Sequence, residues 1–145
     1  MRFGTSIFLL FFGLCASAQF YDSSENWGSM ADISYEKSED EYGEIYVPKF
    51  GERVRKMEGK KVSLKGFIIP FEGMFEPNHI ILSSLPIAAC FFCGGSGPET
   101  VAEAYLEKEI DYTSKPVTVT GTLTLNNTDY DQLMYILKDA KVSFE

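Results

Sequence analysis

Lys61-Val62-Ser63-Leu64-Lys65-Gly66-Phe67-Ile68-Ile69-Pro70 is the stretch whose reading decides the fold. Its first half alternates, with Val62 and Leu64 set between polar residues, as a half-buried strand does. Its second half is a continuous apolar run, as a strand covered on both faces would be. Gly66 at the junction marks a bulge or sharp bend, the device small barrels use at corners. Pro70 ends the strand.

Working outward, Asn78 to Leu85 predicts the next strand. Pro116 to Leu125 alternates strictly, with Val117, Val119, Gly121, Leu123 and Leu125 against Thr118, Thr120, Thr122 and Thr124. Asn126-Asn127-Thr128-Asp129 is a turn. Leu133–Leu137 and Val142–Phe144 read as further strands, broken at Lys138-Asp139. Upstream, Glu44-Ile45-Tyr46-Val47 is a short strand candidate stopped by Pro48. Phe50, Val54 and Met57 fall at helical spacing ahead of Gly59, which predicts one or two helical turns.

Pro98 to Lys108 predicts a helix. Ser96 and Glu99 have capping-box spacing, Pro98 suits a first turn, and Val101/Tyr105 and Ala102/Leu106 are i, i+4 pairs. The expected architecture is therefore all-β with one mid-chain helix. It is a small OB-like antiparallel barrel, preceded by a short helix and a flexible N-terminal segment, with the helix between the third and fourth strands.

The N-terminus reads as an export leader. Arg2 is followed by an apolar run from Phe3 to Leu14 and by Ala16-Ser17-Ala18, a small-x-small cleavage pattern. The run is shorter than the ~20 residues of a membrane span. Residues 1–18 are thus assigned as signal peptide, 19–43 as a polar and mostly disordered lead-in, and 44–145 as the OB-like domain. Trp27 and Tyr35 stand out in the lead-in as aromatics expected to anchor on the domain. The expected location is periplasmic or extracellular, with no transmembrane segment after cleavage. The net charge of −8 argues against nucleic acid, which attracts basic patches.

The Gly59-Lys60-Lys61-Val62-Ser63-Leu64-Lys65-Gly66-Phe67-Ile68-Ile69-Pro70 run resembles the G-K-x-V-x-L-x-G-[FY]-x-x-P signature of a family of exported bacterial proteins with an OB-like domain of unknown function. Pro116 to Leu123 and Tyr135 to Val142 resemble its closing strands. The resemblance spans roughly residues 44–144 and implies a fold rather than an activity. It also implies a cysteine pair in the central loop, which Cys90 and Cys93 match. The proline-rich run that follows in the family is replaced here by Gly94-Gly95-Ser96-Gly97-Pro98.

Cys90 and Cys93 carry the main chemical expectations. Cys15 leaves with the leader, so the mature chain keeps one Cys-x-x-C pair. Three readings follow from it. As metal ligands, two thiolates supply half a tetrahedral site, and soft sulfur selects zinc or copper. His79 is then the candidate third ligand, Glu72 and Glu99 are possible oxygen ligands, and Met74 is a thioether for copper. As a thiol–disulfide oxidoreductase, the pair would exchange disulfides with Phe91 and Phe92 as the apolar contact, but the four residues before Pro98 keep it off a helix start. As a structural pair, it would leave a non-catalytic binding module. The leading expectation is an exported protein that binds a metal or a protein partner through the Cys90–Cys93 loop. No Ser-His-Asp set or paired catalytic carboxylate can be assigned from spacing.

Overall fold

The computed structural model describes residues 23–70 and 75–144. The assigned leader, Cys15, Glu72 and Met74 lie outside the described residues. The elements run α1 (Ser23–Met30), β1 (Ile33–Asp40), β2 (Gly43–Phe50), α2 (Glu52–Arg55), β3 (Lys61–Ile69), β4 (His79–Ser83), β5 (Val101–Leu106), β6 (Val117–Leu125) and β7 (Tyr135–Phe144). Three single 3-10 turns, Ile87–Ala89, Phe91–Cys93 and Pro98–Thr100, fill the β4–β5 connection.

β3 to β7 form a closed barrel in the order β3-β4-β5-β7-β6, with β6 returning to β3. The expected small all-β barrel is what the chain forms. Every adjacent pair is antiparallel except β5 with β7, which is parallel. The core follows from alternation: Val62, Leu64, Ile68, Ile80, Leu82, Ala102, Ala104, Val117, Val119, Leu123, Tyr135, Leu137 and Ala140 turn inward and are buried. Gly66 lies where β3 leaves its β6 partner for β4. A Cβ placed there would sit 2.2 Å from the Ser83 carbonyl oxygen, so only glycine lets the strands approach.

Four expectations are corrected. The simplest is the end of β2, which runs through Pro48 to Phe50 instead of stopping at the proline. The Pro98–Lys108 helix is absent. Pro98–Thr100 is one 3-10 turn, and β5 follows directly. Helix-compatible residues yield because β5 is paired on both edges, to β4 and to β7, and four successive residues from Val101 to Ala104 are buried. A helix would leave its neighbours' ladder groups unpaired.

The break at Lys138-Asp139 is a bulge inside one continuous strand. Asp139 has φ 49°, and the β6–β7 register shifts between Thr120 and Thr122, around Gly121.

Residues 23–40, read as lead-in, carry α1 and β1. β1 and β2 form a hairpin apart from the barrel, with Gly43 at φ 125° after the turn. Most of its side chains are exposed on both faces, and Lys37–Glu44 and Lys49–Glu36 ion pairs cross it. Its polar composition is that of a solvated ribbon rather than of a disordered chain.

α1 docks on β3. Trp27 Nε1 donates to the Lys65 carbonyl at 2.8 Å, and buried Asn26 donates to the Ser63 carbonyl at 2.9 Å. Met30 enters the core, and the Tyr135 hydroxyl donates to its carbonyl. The expected Trp27 anchor is thus seen, whereas Tyr35 on β1 stays substantially exposed. The short helix matches α2, whose Arg53 amide is capped from outside by Asp32 at 2.8 Å.

Two stability experiments follow. Gly66→Ala should destabilise by about 1–3 kcal/mol in urea unfolding, the range for overpacking. Burial, with Tyr35, Glu99 and Asp32 adding negative potential, pushes the Tyr135 phenol well up. A phenol raised on folding contributes stability below its ordinary pKa of about 10, and that stability is lost as pH rises above it. Tyr135→Phe should therefore cost about 1–2 kcal/mol at pH 7, from the orphaned Met30 carbonyl, and should flatten the alkaline decline of the thermal midpoint.

Candidate functional site

The outer face of β4 and β5 is where polar chemistry collects. Inward-facing Ile80 and Leu82 alternate with outward-facing His79 and Ile81, and inward Ala102 and Ala104 alternate with Glu103 and Tyr105. The register sets His79 opposite Tyr105 and Ile81 opposite Glu103, so His79 and Glu103 are diagonal neighbours. The His79 and Tyr105 rings stack at 4.4 Å with planes 7° apart. The β5–β7 register shifts between Ala104 and Leu106, at Tyr105, as bulges beside functional surfaces do.

Glu103 is buried and fully served. Its Oε1 lies 2.5 Å from His79 Nε2 and accepts from the Tyr105 hydroxyl at 2.9 Å; its Oε2 accepts from the Leu133 amide at 3.0 Å. Gln132 Nε2 donates to the Tyr105 hydroxyl at 3.0 Å. The other histidine nitrogen, Nδ1, faces Glu76 Oε2 at 3.3 Å. The ring can donate to one carboxylate in either neutral tautomer and to both when protonated. Burial, followed by the hydrogen bond to Glu103, pushes the Tyr105 phenol up, so it stays a protonated donor.

This network forms one wall of a cleft of about 420 Å³. The β3–β4 loop contributes Phe75 and Glu76, the β6–β7 loop Tyr130 to Leu133, and the Cys loop Phe92; Ile69 and Ile81 add apolar floor. Asn126 shapes the β6–β7 loop: its Nδ2 donates to the Asp129 carbonyl at 2.7 Å, and its Oδ1 accepts from the Thr128 and Asp129 amides. A shallower depression adjoins the cleft, sharing Tyr130 and Asp131 with it. There the hairpin tip adds Asp40, Tyr42, Glu44 and Tyr46 beside Asp129. The two together make a strip of aromatic rings and carboxylates.

The candidate ligands fall in different places. Cys90 and Cys93 share one turn between β4 and β5; Cys90 is buried, Cys93 exposed, and both are free thiols. A hydrogen bond to Cys90, with some burial, pushes the Cys93 thiol up rather than down. His79 makes its contacts with Glu76, Glu103 and Tyr105. Glu99 folds back over Gly97, where an added Cβ would lie 2.2 Å from its Oε2, and its charge acts on Tyr35 and Tyr135. Among the described residues no three His, Cys, Asp or Glu side chains form a metal-holding group. No described helix is long and apolar enough to cross a membrane.

Glu103, Tyr105 and Gln132 escaped the sequence reading. The available signal was a lone carboxylate inside Val101-Ala102-Glu103-Ala104-Tyr105-Leu106, two residues from a tyrosine. Read with a period of two, that places both on one face.

No family model matches the chain, and no curated protein matches it. Among solved structures it is similar to the crystal structure of a DUF3299 family protein from Pseudomonas aeruginosa PAO1. The identity is 16%, the TM-score is 0.48, and 68% of each chain is covered. No residue role follows from that likeness.

His79→Phe keeps a ring against Tyr105 but removes a donor from buried Glu103. It should lower unfolding free energy by about 1–3 kcal/mol at pH 8, measured by urea titration, with the barrel's far-UV spectrum unchanged.

Proposed function

We propose that the protein is an exported binding module that holds a cationic, partly apolar ligand or protein segment in the β4–β5 cleft. The single observation that supports this most is the position of the cleft. It lies on the outer face of the barrel's second and third strands, between the loops joining its first to second and fourth to fifth strands. OB-type barrels bind extended ligands on that face.

The chemistry of the walls selects among ligands. Glu76, Glu103 and Asp131 line the cleft with a single imidazole, and the chain carries a net charge of −8, which disfavours a polyanion. Phe75, Phe92 and Tyr130 supply apolar edges and π faces suited to a methylene stem or an ammonium group. Because Glu103 has its oxygens already engaged, Glu76 and Asp131 at the rim are the groups that would meet the ligand's positive charge. Export is supported by the leader pattern of residues 1–18.

A titration with two fragments and a homopolymer tests this reading. Phenethylammonium should shift amide resonances of residues 75–81, 103–105 and 130–133, whereas phenylacetate and a single-stranded oligothymidine should not. Shifts with phenylacetate or the oligonucleotide on that face, or none with phenethylammonium, would overturn it.

A further inference from the structure

The Cys loop, which lends Phe92 to the cleft, has a geometry of its own. Cys90 and Cys93 are the ends of one closed turn: the Cys93 amide donates to the Cys90 carbonyl at 3.2 Å, and the Gly95 amide donates to the same oxygen at 3.2 Å. An i to i+3 turn keeps its end Cα atoms within about 7 Å. A disulfide needs Cα atoms about 4.4–6.8 Å apart, so the turn already brings the pair into bonding range.

The chain on either side is held. Gly94 turns left-handed at φ 76° directly after Cys93, and Gly95 is pressed against Ala89, where a Cβ would lie 2.6 Å from the carbonyl oxygen. Access is asymmetric. Cys90 is 0% exposed, Cys93 faces solvent, and Phe92 between them is 39% exposed and offers an apolar contact.

We propose that Cys90 and Cys93 form a thiol–disulfide exchange site for small or exposed disulfides, entered through Cys93 and resolved by Cys90. Cys93 first gives up the proton that its contact with Cys90 holds on the thiol, then attacks one sulfur of an external disulfide as the thiolate, forming a mixed disulfide and releasing one thiolate. Cys90, deprotonated as it attacks, then displaces the second thiolate from Cys93 Sγ and closes the intramolecular bond. Two protein thiols are oxidised by two electrons, the external disulfide is reduced to two thiols, and the two protons pass to the leaving thiolates.

The full mature chain is reduced, freed of reductant, incubated natively with oxidised glutathione, quenched in acid and weighed intact. Wild type should lose two hydrogens without retaining glutathione. Cys90→Ala should accumulate a glutathione adduct on Cys93, and Cys93→Ser should stay unmodified until denatured. A stable glutathione adduct on wild type, an unreacted wild-type dithiol, or Cys93→Ser modified as fast as Cys90→Ala would each overturn the proposal. The wild type and Cys93→Ser carry the test alone if Cys90→Ala does not fold.

Discussion

A buried carboxylate with both oxygens hydrogen-bonded holds the β4–β5 face to the β6–β7 loop. Glu103 receives His79 from β4, Tyr105 from its own strand, and the Leu133 amide from the loop before β7. An isolated buried charge is too costly to persist, so its donors are obligatory. The three donors come from three parts of the chain. Satisfying Glu103 therefore fixes the distance between the β4–β5 face and the β6–β7 loop, which is the width of the cleft. Gln132 reinforces this through the Tyr105 hydroxyl.

The barrel makes that arrangement possible through two local irregularities. Gly66 lets β3 bend from β6 to β4 with no side chain against Ser83. The β5–β7 register shifts at Tyr105, while the β4–β5 ladder keeps that residue opposite His79, on which its ring stacks. α1 and the Tyr135–Met30 hydrogen bond tie the N-terminal segment to the core. The hairpin stays outside the barrel and adds its aromatic tip beside Tyr130.

The barrel was legible because its inward positions alternate, in Val62/Leu64 and from Val117 to Leu123, and because Gly66 stands inside an apolar strand. The cysteine pair was legible from spacing. The third barrel strand was not, since Val101 to Leu106 satisfies helical and strand patterns alike. Only the ladders on both its edges decide between them. That one misreading hid the site, because a helix separates Glu103 from Tyr105 whereas a strand puts them side by side. β1 was hidden for a different reason: a two-stranded ribbon exposed on both faces has the composition of a solvated tail.

The most direct measurement is amide hydrogen exchange in Glu103→Leu against wild type. If Glu103 holds the mouth of the cleft, exchange at Leu133 should accelerate about tenfold or more while the amides of β3 and β6 keep their protection. Leu133 exchanging as slowly as in wild type, or protection lost equally throughout the barrel, would contradict the account.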